Sequence, residues 1–275
     1  MLDSETFGFA IGRPLSEVYE FLLEPTNFGR WAFVGDVAMR HLRARDWTVE
    51  TSVGPRIIRF AERNAFGVLD HSVFRQEGDV PHPTGMWAIE NGAGTELIYT
   101  NFRRDGMNDA EWASLKSWVV TDLLALQSLL ETRGRLPVAH EAKVLSFGIH
   151  RPMPEVYDFL IRPRNFASWG FVGDAEMVAI ADGEWQVETT VGPRILRFGQ
   201  PNDAGILTYT SRLRPDTEPH PVPMRVMPNG EGTELMFVFY KRPQDSDEGW
   251  ASTVEWVSAD LLVLKSLLEV GSPGR

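Results

Sequence analysis

The sequence predicts one α+β domain used twice in tandem, and three observations predict it. The stretch Arg13 to Asp36 (RPLSEVYEFLLEPTNFGRWAFVGD) returns as Arg151 to Asp174 (RPMPEVYDFLIRPRNFASWGFVGD), with 15 of 24 positions identical. The offset is 138 residues and aligns everything downstream without a gap, so the function is that of one unit used twice. Each copy also reads as a strand, two short helices, a run of hairpins and one long amphipathic helix. An antiparallel sheet with one buried face needs a cover, and only the closing helix is long enough. The expected boundaries are a first domain over 1–133, a linker over 134–141 and a second domain over 142–275.

Taken in order, Phe7, Phe9 and Ile11 alternate on an opening strand, matched by Leu145, Phe147 and Ile149. Pro14 and Pro152 follow at the first helical position, where a missing N–H costs nothing. Val18, Phe21 and Leu22 (Val156, Phe159 and Leu160) then recur at helical spacing until Pro25 or Pro163. Asn27 to Trp31 reads as a second short helix and Val34-Gly35-Asp36 as the turn out of it. Trp47, Val49, Thr51 and Val53 alternate, as do Trp185, Val187, Thr189 and Val191. Gly54-Pro55 and Gly192-Pro193 turn the chain, and Arg56 to Phe60 returns it. A further strand is expected over Val68 to Phe74, after the turn at Asn64 to Gly67. Asp182-Gly183 is a tight-hairpin signal found in the second copy alone. Asn91-Gly92 and Asn229-Gly230 precede the last strand. Asn108 with Glu111, and Asp245 with Glu248, read as capping boxes for the closing helices. Trp112, Leu115, Val119, Leu123, Leu126 and Leu130 form the first apolar stripe, and Trp250, Val257, Leu261, Leu264 and Leu268 the second.

Composition narrows the function. The chain has no cysteine, which excludes disulfides and thiolate chemistry and fits a reducing cytosol. With 27 basic and 38 acidic residues the net charge is −11, which repels a phosphate backbone, so nucleic acid is not an expected partner. The opening residues lack a basic-then-apolar signal pattern, and no apolar run approaches the ~20 residues that span a bilayer. The expectation is a cytoplasmic protein without a membrane partner.

The pattern Pro-x-x-Glu-Val-Tyr-x-Phe-Leu, then Asn-Phe-x-x-Trp, then hairpins and a long last helix resembles the SRPBCC superfamily. That is the helix-grip fold of the birch pollen allergen, START lipid carriers and bacterial polyketide cyclases/dehydrases. The resemblance covers roughly residues 4–132 and 142–270. It implies a curved antiparallel sheet wrapped around the C-terminal helix of each copy, with an apolar cavity between them. Gly67-Val68-Leu69-Asp70-His71 resembles a segment that small bacterial members carry on a middle strand; the second copy departs from it as Gly205-Ile206-Leu207-Thr208-Tyr209. As architecture, the tandem is similar to didomain aromatase/cyclases of bacterial polyketide pathways.

Among ionisable residues His71 stands out. On a regular strand Leu69, His71 and Val73 share a face, as do Leu207, Tyr209 and Ser211, while Asp70 points the other way. His71 reads as a catalytic acid/base or, more simply, as a hydrogen-bonded histidine of a cavity wall, with Tyr209 its counterpart. His82 and His220 sit in matched Pro-His-Pro segments, either gating a cavity mouth or forming a structural turn. Arg56 and Arg194 follow the Gly-Pro turns; turned inward they would bind a carboxylate or enolate, and turned outward, the favoured reading, they would pair with Glu50 or Glu188. Trp31, Trp169, Trp112 and Trp250, with Met86 and Met224, read as core or cavity lining.

The six histidines show no HExxH or close-paired spacing, so no metal is expected. No Gly-x-Gly-x-x-Gly, Gly-x-x-x-x-Gly-Lys or Gly-x-Ser-x-Gly occurs, so neither a nucleotide cofactor nor a hydrolase elbow is expected. Three readings remain: a carrier of a hydrophobic or aromatic, polyketide- or lipid-like molecule; a polyketide cyclase, aromatase or dehydratase acting through the first-domain cavity; and a pseudo-dimer whose second domain is structural.

Overall fold

A computed structural model describes the chain except residues 35–36, 52–53, 133, 138–139, 173–175, 190–191, 243 and 271–275. Two compact units emerge, one of Leu2–Glu141 and the other of Ala142–Arg275 with Met1. The predicted turn at Gly35-Asp36 and the strand positions Val53 and Val191 lie outside the described residues.

Unit 1 runs β1 (Ser4–Ile11), α1 (Leu15–Leu23), α2 (Pro25–Phe28), β2 (Met39–Arg43), β3 (Asp46–Thr51), β4 (Gly54–Phe60), β5 (His71–Phe74), β6 (His82–Asn91), β7 (Gly94–Phe102) and α3 (Asp109–Glu131). The strands form one antiparallel sheet in the order β1-β7-β6-β5-β4-β3-β2. Its register puts Phe7 beside Tyr99, Tyr99 beside Met86, Phe60 beside His71 and Ile58 beside Trp47. Side chains of that face share a single apolar cluster with Val119, Leu123, Leu126 and Leu130 of α3. The unit is therefore α+β, with the long helix on one face of the sheet.

Unit 2 repeats the order with β8 (Ala142–Ile149), α4 (Met153–Leu160), α5 (Pro163–Phe166), β9 (Met177–Ala181), β10 (Glu184–Val187), β11 (Arg194–Phe198), β12 (Tyr209–Arg212), β13 (His220–Val222), β14 (Met224–Asn229), β15 (Gly232–Tyr240) and α6 (Asp247–Val270). Here the ladder divides into β13-β12-β11-β10-β9 and β14-β15-β8. The break falls at Pro223, where unit 1 has Gly85 paired with Thr100. Proline brings no N–H to the ladder, so one continuous strand becomes two.

Three expectations are corrected. The strand expected from Val68 begins instead at His71; Val68 keeps only an isolated bridge to Trp87. The cause is the Asn64 side chain, whose Oδ1 accepts the N–H groups of Phe66 and Val68 (3.0 and 3.1 Å) while its amide donates to the carbonyls of Glu62 and Val68. Backbone groups bound by an Asx side chain are withdrawn from a ladder. Gly67 completes the turn at φ 72°, where a Cβ would stand 2.1 Å from the Ala88 carbonyl oxygen. Asn202 and Gly205 repeat the arrangement. Strand β10 stops at Val187, short of Thr189. Lastly, the Asn108/Glu111 capping box is formed, but Asp245 and Glu248 form none. In unit 2 the cap is Ser246, whose hydroxyl accepts the Gly249 N–H at 3.1 Å.

Candidate functional site

The inner face of the unit 1 sheet carries a polar line across three strands. Asn101 on β7 is registered with Thr84 on β6, Thr84 with His71 on β5, and His71 with Phe60 on β4. All four are buried. The His71 ring sits 5.1 Å from Phe28, 6.1 Å from Phe60 and 6.0 Å from Tyr99, a cage of aromatic edges and faces. Burial depresses its pKa to about 4, so at neutral pH the imidazole is uncharged. Three buried atoms of this interior have no hydrogen-bond partner: His71 Nδ1, Asn101 Nδ2 and Trp31 Nε1. Trp31 packs edge-on against Phe28, which also touches His71. Native interiors leave few such groups unsatisfied, and each calls for a water or a ligand atom.

Unit 2 keeps the cage and loses the polarity. Tyr209 replaces His71 and packs against Phe166, Phe198 and Phe237 at 5.4, 5.6 and 6.5 Å. Val222 stands where unit 1 has Thr84, and Phe239 where it has Asn101. The exchange is coupled: His71 with Tyr99 in unit 1 becomes Tyr209 with Phe237 in unit 2. The phenol of this aromatic group is thus contributed by a different strand in each unit, β7 in unit 1 and β12 in unit 2. Both phenols are held protonated, by burial first and then by the charge of a carboxylate on the closing helix, Asp122 for Tyr99 and Asp260 for Tyr209.

Those carboxylates have a second task. Asp122 accepts the backbone N–H of Phe33 at 3.1 Å, and Asp260 that of Phe171 at 2.9 Å. Phe33 and Phe171 sit at φ 57° and 55°, the left-handed region, which costs a non-glycine residue about 1–2 kcal/mol. The helix carboxylate thus pins a strained corner over the inner face. Asp122→Ala is expected to cost about 2 kcal/mol in urea unfolding, the loss of a charge-assisted hydrogen bond.

The remaining predicted residues divide between places. Trp31 (1% exposed) and Met86 belong to the core cluster around His71, and Trp169 and Met224 to its unit 2 counterpart. Trp112 and Trp250 are buried at the start of the closing helices, Trp250 with its ring 5.0 Å from Phe239. His82 donates from Nε2 to the Phe102 carbonyl at 2.7 Å, which fixes Nε2 as the protonated nitrogen. His220 lies with its ring perpendicular to that of Tyr240 at 6.3 Å. The favoured pairing of Arg56 with Glu50 is overturned: Glu50 is registered with Pro55, and Arg56 is buried on the face of Val49, donating to the carbonyls of Gly54 and Pro55. The outward arginine is Arg59, held bidentately by Asp46 at 2.6 and 2.9 Å. Arg194, half-buried, has its pKa lowered by burial and then by Arg242.

Sequence reasoning missed Thr84, Tyr99, Asn101 and Asp122. For Thr84 the signal was present in the gapless alignment, where Pro81-His82-Pro83 and Met86 repeat around the Thr84/Val222 difference; Tyr99/Phe237 and Asn101/Phe239 lie in a stretch, 98–103, where every position differs. Among the described residues no group of three or more histidine, aspartate or glutamate side chains could hold a metal, and no helix is long and apolar enough to cross a membrane.

No family model and no curated protein matches the chain. Among solved structures, the di-domain ARO/CYC BexL from the BE-7585A biosynthetic pathway aligns over 100% of both chains at 13% identity and a TM-score of 0.38. The di-domain ARO/CYC StfQ from the steffimycin biosynthetic pathway aligns over 97% of this chain and 98% of its own, at 13% identity and a TM-score of 0.36. Aha1 from Colwellia psychrerythraea covers 48% of this chain and 98% of its own, at 13% identity and a TM-score of 0.39. At that level of likeness none of them bears on the chemistry of the site.

Proposed function

We propose that each unit is a helix-grip domain, and that unit 1 binds an apolar, aromatic small molecule carrying a few oxygen groups between its sheet and α3. The observation that carries this reading is the trio of unpartnered buried atoms, Trp31 Nε1, His71 Nδ1 and Asn101 Nδ2, in a wall otherwise built of Phe28, Phe60, Met86 and Tyr99. A largely apolar lining with a few convergent polar groups is the usual make-up of a small-molecule site. Unit 2, with Tyr209, Val222 and Phe239 at the matched positions, serves as the structural member of the pair.

The acid/base reading is less well supported. A general acid or base works best with its pKa near the operating pH. His71, at about 4, is a weak base, and the Tyr99 phenol, pushed up by burial, is a weak acid. Both suit a neutral hydrogen-bonding role toward a carbonyl or phenol of a polyketide-like guest.

Fluorescence titration with the neutral probe N-phenyl-1-naphthylamine tests this. The unmodified chain is expected to give saturable enhancement. The variant His71→Tyr/Thr84→Val/Asn101→Phe, which copies unit 2 at those three positions, is expected to keep its circular dichroism and lose the enhancement. Unchanged binding in that variant would remove the assignment to unit 1.

A further inference from the structure

A second feature of unit 1 lies outside the aromatic cage. Arg56, Arg75, Asp79, His82 and Arg104 line a cleft of about 320 Å³ together with Val73 and Phe74. Three guanidinium groups share it with one carboxylate, and Asp79 already accepts the Gln76 N–H at 3.1 Å. Arg104 Nε is buried without a hydrogen-bond partner. Among the described residues no carboxylate forms an ion pair with Arg75 or Arg104. Burial, followed by repulsion from Arg56 and Arg75, lowers the Arg104 pKa; burial and Arg75 lower that of Arg56. In a chain of net charge −11, two neighbouring arginines that no carboxylate among the described residues pairs with, Arg75 and Arg104, are not a by-product of composition.

Unit 2 shows what completes such a cluster. Arg242, the counterpart of Arg104, is held by Asp245, with Nε at 3.1 and 3.2 Å from its two oxygens and Nη2 at 2.8 Å from Oδ1. Asp245 corresponds to Met107. Both stand at the same place in the same turn, Asp245 N–H donating to the Arg242 carbonyl at 2.9 Å and Met107 N–H to that of Arg104 at 3.1 Å. Unit 2 also has Leu213 in place of Arg75 and Glu218 in place of Val80. One repeat thus supplies its own carboxylate, and the other has a methionine there and one more arginine.

We propose that the unit 1 cleft is a binding site for a small-molecule oxyanion, a carboxylate or a phosphate group, whose place in unit 2 is taken by the Asp245 side chain. Arginine forks match either group bidentately, and His82, its Nε2 engaged by the Phe102 carbonyl, offers Nδ1 to a protonated oxygen or a bridging water. The proposal rests on this cleft and not on uptake of an apolar molecule by the interior.

Calorimetric titration of the full chain with inorganic phosphate, and separately with succinate, at constant ionic strength set by chloride, tests it. One saturable site per chain is expected, and the stronger of the two responses identifies the oxyanion class. Met107→Asp, which gives Arg104 the partner Arg242 has, should weaken binding by at least about tenfold. Asp245→Met should open a second site. No saturable response above chloride in the unmodified chain overturns the proposal, as does unchanged affinity in folded Met107→Asp. Should that variant fail to fold, Arg104→Gln must reproduce the loss, and unchanged affinity there overturns the proposal equally.

Discussion

Glu96→Gln is expected to stabilise the protein by about 3 kcal/mol above about pH 8 and to leave it unchanged near pH 4. Glu96 lies on β7, 3% exposed, and accepts one hydrogen bond from Asn91 Nδ2 at 3.1 Å. Asn91 is itself tied to the chain beyond α3, through the N–H and carbonyl of His140 at 3.1 and 3.0 Å. Burial raises the Glu96 pKa to about 7, and the single bond from Asn91 offsets this only in part. The unfolded carboxyl releases its proton near 4.5, the folded one near 7. Between those values the folded state retains a proton that the unfolded state has lost, so stability falls as pH rises through this window and stays low above it. Glutamine keeps the carbonyl acceptor and removes the charge. Urea unfolding across this range should show the alkaline loss in the parent and a flatter profile in the variant. Parallel profiles would mean that Glu96 meets water or a cation in solution.

The double variant His71→Tyr/Tyr99→Phe is expected to remove a loss of similar size on the acid side. His71 has its folded pKa depressed from 6.5 to about 4 by burial. Below 6.5 the unfolded imidazole takes up a proton that the folded one refuses until about 4, so stability falls as pH drops through that interval, by about 3 kcal/mol in all. The substitutions copy the pair that unit 2 already accommodates, Tyr209 with Phe237. Stability at neutral pH should therefore change little, and the slope between about pH 6.5 and 4 should flatten. A slope that persists in the double variant would assign the acid loss to another group.

Much of the fold was legible because its causes are local. The apolar stripes of α3 and α6 act within a few residues of themselves. So do Pro14 and Pro152, although these stand at the N-cap and not at the first helical position, and Gly54 and Pro55 belong to β4 and not to the turn before it. Asp182-Gly183 does form the two-residue turn between β9 and β10. The misplaced cap of α6 shows the limit of a local rule. Asp245 and Glu248 have capping spacing, but the Asp245 carboxylate is spent on Arg242, and the aligned partner of Asn108 is Ser246. The late start of β5 has the same origin, an Asn64 side chain that competes for backbone groups the strand would need. The polar line of Asn101, Thr84 and His71 was illegible for a different reason. It exists only through the register of three strands, so residue type and strand period placed His71 inward without naming its neighbours. The inward turn of Arg56 likewise depended on pairing Val49 with Arg56 and Glu50 with Pro55.

The number of guest molecules held by each chain is the most direct test of the central claim that the two repeats have diverged, one interior polar and receptive, the other apolar and self-filled. Native mass spectrometry of the intact chain with N-phenyl-1-naphthylamine reads that number, and because the probe is neutral the arginine cleft does not contribute to it. One bound molecule per chain, absent from the His71→Tyr/Thr84→Val/Asn101→Phe variant, is the predicted result. Two molecules per chain, or none, would contradict it.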